Sequence, residues 1–490
     1  MVSFQPLKAS SLARRIAAVA LPALLLLGCT SDQSALLPAT GDLAPRVGPI
    51  ARAADREHLR LLEAFGGEYR APVARAALDD IVQKLAKASD GQIGSYEITI
   101  LNSPVVNAFA LPTGRLYVTR GLLALANDTS EIASVLAHEI AHVTAQHAVE
   151  RAEREAESAL VSQVVSQVLN DPVAGAAVQA GSKLSLAKFS RQQELTADQI
   201  SVRNIARAGF DPYGAGRFLA ALGRNTAFRN TAQGQSAEGK RLDILSSHPS
   251  TPERVAAVTG AARQLGAPGI GERDPLRWLS VVDGLAFGDD PRDGIVRGRR
   301  YVNSALRIAF TGPEGFQLEA ARDMVIGVSA NGAQALRFDS VTMKPEQTLE
   351  AYVASGWIDG VETSAVERLD IGGLPAVTAT GKGTDWTFRL AALQSGTRVY
   401  RFILAARSGS DPERALRSVI ESFRSLNPQE AQAVRPTQIR LVTASDGDTP
   451  ATMAARMAGQ DRAQELFMVL NGLDRAGPLV AGQRYKIVAE

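Results

Sequence analysis

The stretch with the clearest chemistry is His138-Glu139-Ile140-Ala141-His142, an H-E-x-x-H run inside a segment of helical composition from Glu131 to Arg151. Side chains four apart lie on one face of an α-helix, one turn above each other, so the two imidazoles can close on a single metal ion. Glu139 then projects about 60° around the axis from His142, by the roughly 100° per residue of helix geometry. That sets it near the metal but not on it, where a carboxylate can act as general base on metal-bound water. The chain has five histidines, His58, His138, His142, His147 and His248. On a continuous helix His147 falls about 180° from His138 and is expected to be structural or on the surface.

Two histidines on a zinc ion call for a third protein ligand and an open position for water. Glu194 and Asp198 are also four apart, in a second helical segment from Ser190 to Ala206. Glu194 can reach the metal, and Asp198 can accept a hydrogen bond from a ligating imidazole and fix its tautomer. The same spacing equally suits a solvent-exposed acidic edge paired with Arg191. His248, in Ser247-His248-Pro249, either approaches the metal or a developing oxyanion, or packs the start of the next helix.

These side chains need a scaffold. Arg52 to Phe65 and Pro72 to Ala88 carry apolar residues at helical spacing, and Tyr96–Leu101, Val105–Leu111 and Leu116–Val118 are strand-like. A short helix runs from Thr119 or Arg120 to about Asn127, and Asp128-Thr129-Ser130-Glu131 supplies caps for the helix that carries the motif. Leu160, Val161, Val164, Val165, Val168 and Leu169 form a helical stripe, followed by a small-residue segment from Val173 to Ala180. The stripe is either core-facing or a mobile lid. Gly209-Phe210-Asp211-Pro212 stops one helix and restarts another, Asn225 to Gly239 is a polar loop, and Thr251-Pro252-Glu253 opens a helix to about Leu265.

At 490 residues the chain is too long for one core and suggests two to four domains. Lys8, Arg14 and Arg15 precede an apolar run, Ile16 to Leu27, too short to span a bilayer and shaped like the core of a secretory signal. Leu26-Leu27-Gly28-Cys29 resembles a bacterial lipobox, and Cys29 is the sole cysteine. The resemblance implies cleavage after residue 28, lipid on Cys29 and a flexible tether over 29–44. Thr30, rather than Asp, implies sorting to the outer membrane. The mature chain then has no thiol for a disulfide or a nucleophile. Losing three positive and no negative charges takes the net charge from +2 to −1, which gives no electrostatic case for nucleic acid or an anionic membrane.

Taken together, His138-Glu139-x-x-His142, Glu194 with Asp198 in Ser190-Arg191-x-x-Glu194-x-x-Ala197-Asp198, and Ser247-His248-Pro249 resemble the HtpX-like and CAAX-prenyl-protease-like zinc metallopeptidases, which are gluzincins. Asn107-Ala108-Phe109-Ala110-Leu111-Pro112 and Val118-Thr119-Arg120-Gly121-Leu122 look like that family too. The lipobox and the lack of spanning segments point to its soluble periplasmic lipoproteins, the BepA- and LoiP-like type. The resemblance implies one Zn²⁺ held by His138, His142 and Glu194, Glu139 as base, and Asp198 behind a ligand. It also implies Asn107, Ala108, Phe109, Ala110 and Leu111 as the edge strand that pairs with an extended substrate, and His248 close to the metal. Many soluble relatives end in tetratricopeptide repeats; none is visible here.

The resulting expectation is an α+β multidomain chain: a mainly helical zincin-type metalloprotease domain with a small sheet over 45–268, then a mixed α+β domain with an antiparallel sheet over 274–428. The second domain vaguely resembles the PsbP/Mog-like fold. Its tryptophans and their neighbours, Trp278, Trp357 and Trp386, are expected in the core. Gln429 to Arg435 is a linker, and residues 436–490 resemble a small LysM module of strand-helix-helix-strand order, which implies binding to peptidoglycan. Unfolded or unassembled envelope proteins are the expected substrates. The alternative is a peptidoglycan-binding outer-membrane lipoprotein whose metal site is latent or regulatory.

Overall fold

Proline at the first turn and apolar residues three and four apart make Pro72–Ala88 an amphipathic helix that buries Leu78, Ile81, Val82 and Leu85. It belongs to a computed structural model that describes residues 49–91, 95–152, 189–231, 243–249, 251–321, 324–344, 346–355, 362–383, 386–407, 412–457, 459–460 and 462–490. The expected leader, Cys29, the tether, the apolar segments between Leu160 and Ala180, and Trp357 lie outside the described residues.

Helices α1 (Pro49–Ala64) and α2 (Pro72–Ala88) precede strands β1 (Glu97–Leu101), β2 (Ala108–Ala110) and β3 (Arg115–Thr119). The sheet order is β1-β3-β2, with β1 parallel and β2 antiparallel to β3, so β2 is an edge. Thr119 caps α3 (Arg120–Leu125) by accepting from the Leu122 N–H. Asp128 caps α4 (Thr129–Thr144), its Oδ1 2.9 Å from the Glu131 nitrogen. Every residue from Thr129 to His142 is buried, so the motif helix runs through the middle of the core. Small residues at 130, 133, 134, 137 and 141 let neighbours approach it closely. Gly214 is one such neighbour: a Cβ there would lie 2.5 Å from the Ser130 carbonyl oxygen.

Around α4 pack α5 (Arg191–Arg207), opened by a Ser190/Gln193 capping box, then α6 (Gly214–Thr231), α7 (Ile244–Ser247) and α8 (Pro252–Leu265), capped by Thr251. The polar stretch from Asn225, expected as loop, continues α6 to Thr231; its Arg224 and Arg229 find partners in Asp474 and Asp243. The motif helix, in contrast, is shorter than Glu131–Arg151. It ends at Thr144, and Gln146 at φ 55° turns the chain before residues 147–152 resume a helix.

Helix α9 (Pro275–Val282) buries Trp278 completely in the same core as α2, α4 and α6, with Nε1 3.0 Å from the Ala126 oxygen. Beyond it, a seven-stranded antiparallel sheet forms from residues 316–407 and a four-stranded one from 295–311 and 424–425. A second core lies between them and a helix at Glu413–Glu421, built on Tyr301, Phe310, Phe338 and Phe402. Strand Glu362–Ile371 and helix Leu349–Ala354 give no clear periodic signal, the strand because most of its residues are polar and the helix because it is only six residues long. Trp386 is half-buried, with the Arg407 guanidinium 5.8 Å from its ring centre. The expected linker is instead a helix, Pro428–Ala433, opened by an Asn427/Glu430 capping box.

The C-terminal segment follows as strand Thr437–Thr443, helices Pro450–Ala454 and Ala463–Leu470, and strand Arg484–Ala489. Its strands pair antiparallel, and the first also pairs with a two-residue strand at Ala286–Phe287. Among the described residues the segment forms no core of its own. Ile439, Phe467, Leu470, Tyr485, Ile487 and Val488 join the cluster that holds Leu136 and Ile140 of α4. Phe467→Ala, which opens a cavity at a fully buried site, is expected to cost about 3–5 kcal/mol. The loss should appear in the single calorimetric transition that also releases the α4 amides in hydrogen exchange; a separate minor transition confined to 437–489 would contradict the shared core.

Candidate metal centre

Three helices and one loop bring the chemistry together. α4 offers His138 and His142, α5 offers Glu194 and Asp198, and His248 follows the single turn α7. One donor atom each from His138, His142, Glu194 and His248 lies within 4.8 Å of the others, and all four residues are buried. His138 Nε2 is 3.0 Å from His142 Nε2, 3.5 Å from Glu194 Oε2 and 3.4 Å from His248 Nδ1. His142 Nε2 is 3.5 Å from Glu194 Oε1, which is 2.8 Å from His248 Nδ1. A tetrahedral ion with bonds of about 2.0–2.1 Å needs ligand atoms roughly 3.3–3.4 Å apart. The donors therefore match zinc in type and spacing; magnesium and calcium favour all-oxygen sets. A group of four donors, with His248 among them, is the closed arrangement of a structural zinc site.

Asp198 does not join the donors. Its Oδ1 lies 3.1 Å from His138 Nδ1, which fixes the His138 tautomer so that Nε2 faces the cluster. Glu194 and Asp198 are both buried, and the solvent-exposed Arg191 pairs with Glu253 instead, so the acidic-edge alternative fails. Glu139 is buried as well, and among the described residues its Oε1 has no hydrogen-bond partner; His248 Nε2 lies 3.7 Å away. An unpartnered buried carboxylate oxygen is costly, and here it faces the metal cluster and the cleft.

Three neighbours were not legible in the pattern. Arg254 puts Nε and Nη2 on the two Asp198 oxygens at 2.7 and 2.8 Å, and Nη1 at 2.7 Å from Glu194 Oε2. In the sequence it reads only as part of a helix start. The signal that finds it is charge: three buried carboxylates, Glu139, Glu194 and Asp198, need more positive charge than one divalent ion supplies. The second is His147, expected to lie away from the site. The turn at Gln146 brings it back, buried, with Nδ1 3.0 Å from His142 Nδ1. The angular argument assumed a helix that the structure ends at Thr144. Phe189, unremarked in the sequence, lies over His142 with ring centres 3.9 Å apart.

Burial lowers the basicity of His138, but Asp198 and Glu194 outweigh it and raise its pKa to about 9. Burial lowers His142 further below the ordinary histidine value, helped by the positive charge of His138. Burial raises Glu139, against the pull of His248 and His138. Glu194 and Asp198 are also pushed up by burial, yet both end well below the carboxylate range, held down by His138 with His248 and by Arg254 with His138 respectively.

A cleft of about 590 Å³ opens onto Glu139, His142 and His248 and is walled by Leu61, Phe109, Leu111, Val149 and Phe189. The expected edge strand lines it only in part. Asn107 is fully buried; its carbonyl accepts from the Thr119 N–H, its own N–H donates to Thr119 Oγ1, and the Leu111 N–H donates to the Arg115 carbonyl. Alternation along an antiparallel pair then turns the N–H and C=O groups of Ala108 and Ala110 away from β3, to an edge that pairs with no other strand among the described residues; Ala108 itself is buried.

Two measurements check this geometry. Arg254→Met should weaken zinc binding by about 10–100-fold, the range for groups that orient ligands from behind, in competition with a chelator; wild-type affinity would refute its role. His138 carries a proton below about 9 and must lose it to coordinate. Zinc uptake by the apoprotein at neutral pH should therefore release a proton and weaken as pH falls. Calorimetry in two buffers of different ionisation enthalpy should give different heats; equal heats would contradict it.

Comparison with known proteins agrees with this site. Residues 72–262 match the model of Peptidase family M48. The mitochondrial metalloendopeptidase OMA1 of Arabidopsis thaliana is 33% identical over 168 residues, 34% of this chain and 32% of that protein. The beta-barrel assembly-enhancing protease of Yersinia pestis is 29% identical over 269 residues, 51% and 53% of the two chains. Its Escherichia coli K12 namesake is 25% identical over 203 residues, 40% of each. The chain thus spans about a third to about half the length of these relatives. All the residues that converge on the metal cluster fall inside the stretch that is similar to peptidase family M48.

Proposed function

We propose that this protein is a zinc-dependent endopeptidase of the bacterial periplasm, anchored by lipid on Cys29 at the outer membrane, that cleaves misfolded or unassembled envelope proteins. The observation that carries the peptidase reading is the unpartnered Oε1 of Glu139, buried beside the four donors at the head of the cleft. A purely structural zinc site has no use for such a group.

His138, His142 and Glu194 hold the zinc in this proposal, and Asp198 with Arg254 fixes their orientation. Zinc, when bound, supplies Lewis acidity toward water and toward the carbonyl of the scissile peptide. Glu139, made more basic by burial, takes the proton of the attacking water and returns it to the leaving amine. His248 gives up its place as substrate enters. Of the four donors it alone sits on a loop, after the one turn of α7 and before Pro249, so its displacement costs the least packing. The free edge at Ala108 and Ala110 accepts the substrate backbone as an added strand, which selects for extended chains rather than for sequence. The names of the Yersinia and Escherichia relatives, beta-barrel assembly-enhancing proteases, support envelope proteins as the substrate class. Among the described residues no helix is long and apolar enough to cross a membrane, which is compatible with anchoring through lipid alone.

The domain scheme remains part of the proposal: a peptidase region followed by an α+β region, then a LysM-like segment over 436–490 that offers a peptidoglycan contact. The closed four-donor set favours a second reading, a latent or regulatory metal site in a peptidoglycan-binding lipoprotein. Glu139→Gln separates the two. It should keep one zinc per chain and lose about 10²–10⁴-fold of casein cleavage, the usual contribution of a general base. Equal turnover by this variant would refute the mechanism, and absence of chelator-sensitive cleavage in the wild type would favour the latent site.

A further inference from the structure

Lys486, in the last strand of the chain, is completely buried, more than 340 residues in sequence from its partners. Its Nζ donates to the carbonyl oxygens of Ala124, Leu125 and Ala126 at 2.7, 3.4 and 2.9 Å. These are the last carbonyls of α3, which have no partner within the helix and carry its partial negative charge. Trp278 Nε1 adds a second donor to Ala126. At the other end of α3, Arg120, also buried, binds Asn102 Oδ1 at 2.9 Å and the Ala286 oxygen at 3.1 Å.

The junction that Lys486 grips leads straight into the motif helix. The Asn127 N–H donates to Glu131 Oε2 at 2.8 Å, and Asp128 caps α4. Asp128 Oδ2 is held by Arg217 at 3.2 Å and Arg273 at 2.7 Å, and Arg217 also reaches Asp211 at 2.9 Å. The start of α4 is thus fixed by side chains from three distant parts of the chain, Arg217, Arg273 with Trp278, and Lys486. His138 lies ten residues on, about 15 Å along a rigid, wholly buried helix, so a shift of the junction is carried to the ligands.

We infer that Lys486 is a positioning residue for the metal centre, and that the C-terminal segment is a built-in strut for helix α4 rather than an appended module. This rests on the metal site of the proposed function but not on its peptidase activity. The charges nearby agree with a tightly enclosed contact. Burial lowers the Lys486 pKa to about 7 against the attraction of Glu131, and burial with the neighbouring Asp128 raises Glu131 to about 7. Among the described residues no carboxylate hydrogen-bonds the Lys486 amine, which is held by the end of α3.

The test uses the full chain. Lys486→Met keeps the length of the side chain and removes its donors. It should lower zinc affinity at least about tenfold by chelator competition, the lower end of what displaced ligand supports cost, and lower kcat on casein with KM little changed. Arg462→Ala removes another contact of the segment, to the Phe228 oxygen at 2.8 Å, without touching the junction; its zinc affinity should stay within about twofold. Coupling is reciprocal, so a measurement on the wild type covers the case in which Lys486→Met fails to fold. Zinc should slow hydrogen exchange at 484–489 as well as at 129–142. Wild-type zinc affinity in Lys486→Met, an equal loss in Arg462→Ala, or zinc protection that stops short of 484–489 would each overturn the inference. A wild type that binds zinc but cleaves nothing would sink the peptidase proposal and leave this one standing.

Discussion

Three carboxylates, Glu139, Glu194 and Asp198, are buried within reach of one another, and most of the site follows from the need to balance them. Unpaired charge in a protein interior is too costly to persist. Arg254 answers for Asp198 and part of Glu194. The imidazoles of His138 and His248 approach what remains of Glu194. Glu139 Oε1 is left without a hydrogen-bond partner. A divalent cation among the four donors would complete the balance, and water beside it would give Glu139 its proton to take.

The second constraint is rigidity. Ligands four apart on a helix stay in register only if the helix cannot fray, and α4 is buried from Thr129 to His142. Its alanines and serines admit α5 and α6 at close range, and its first turn is locked by Asp128, Arg217 and Arg273. The cleft side differs. Beyond Thr144 the chain turns at Gln146, and His248 follows a helix of a single turn. The fixed parts of the site thus lie on helices, and the parts that must yield to a substrate lie on loops.

Local pattern made much of this visible in the sequence. Helices α2, α4, α5 and α8 were legible from periodicity, prolines and capping residues, because those signals lie within a few positions of each other. Glu194 and Asp198 were legible as a pair but not as ligands, since spacing cannot tell a buried face from an exposed one. Arg254, His147 and Lys486 were not legible as partners of the site. Arg254 meets Asp198 across 56 residues, His147 depends on one residue at positive φ, and Lys486 meets α3 across some 360. Trp278 shows the same limit: composition changes near 274, yet its side chain packs into the first core. Local propensity carries no information about such long-range contacts.

The central claim is that one zinc ion sits among His138, His142 and Glu194 with His248 beside it. Anomalous diffraction at the zinc edge from crystals of the full chain tests it most directly. The account predicts a single strong peak about 2.0–2.2 Å from His138 Nε2, His142 Nε2 and a Glu194 oxygen, at the bond lengths of zinc to nitrogen and carboxylate. A zinc-replete crystal with no peak there, or with Glu194 turned away from the ion, would contradict it.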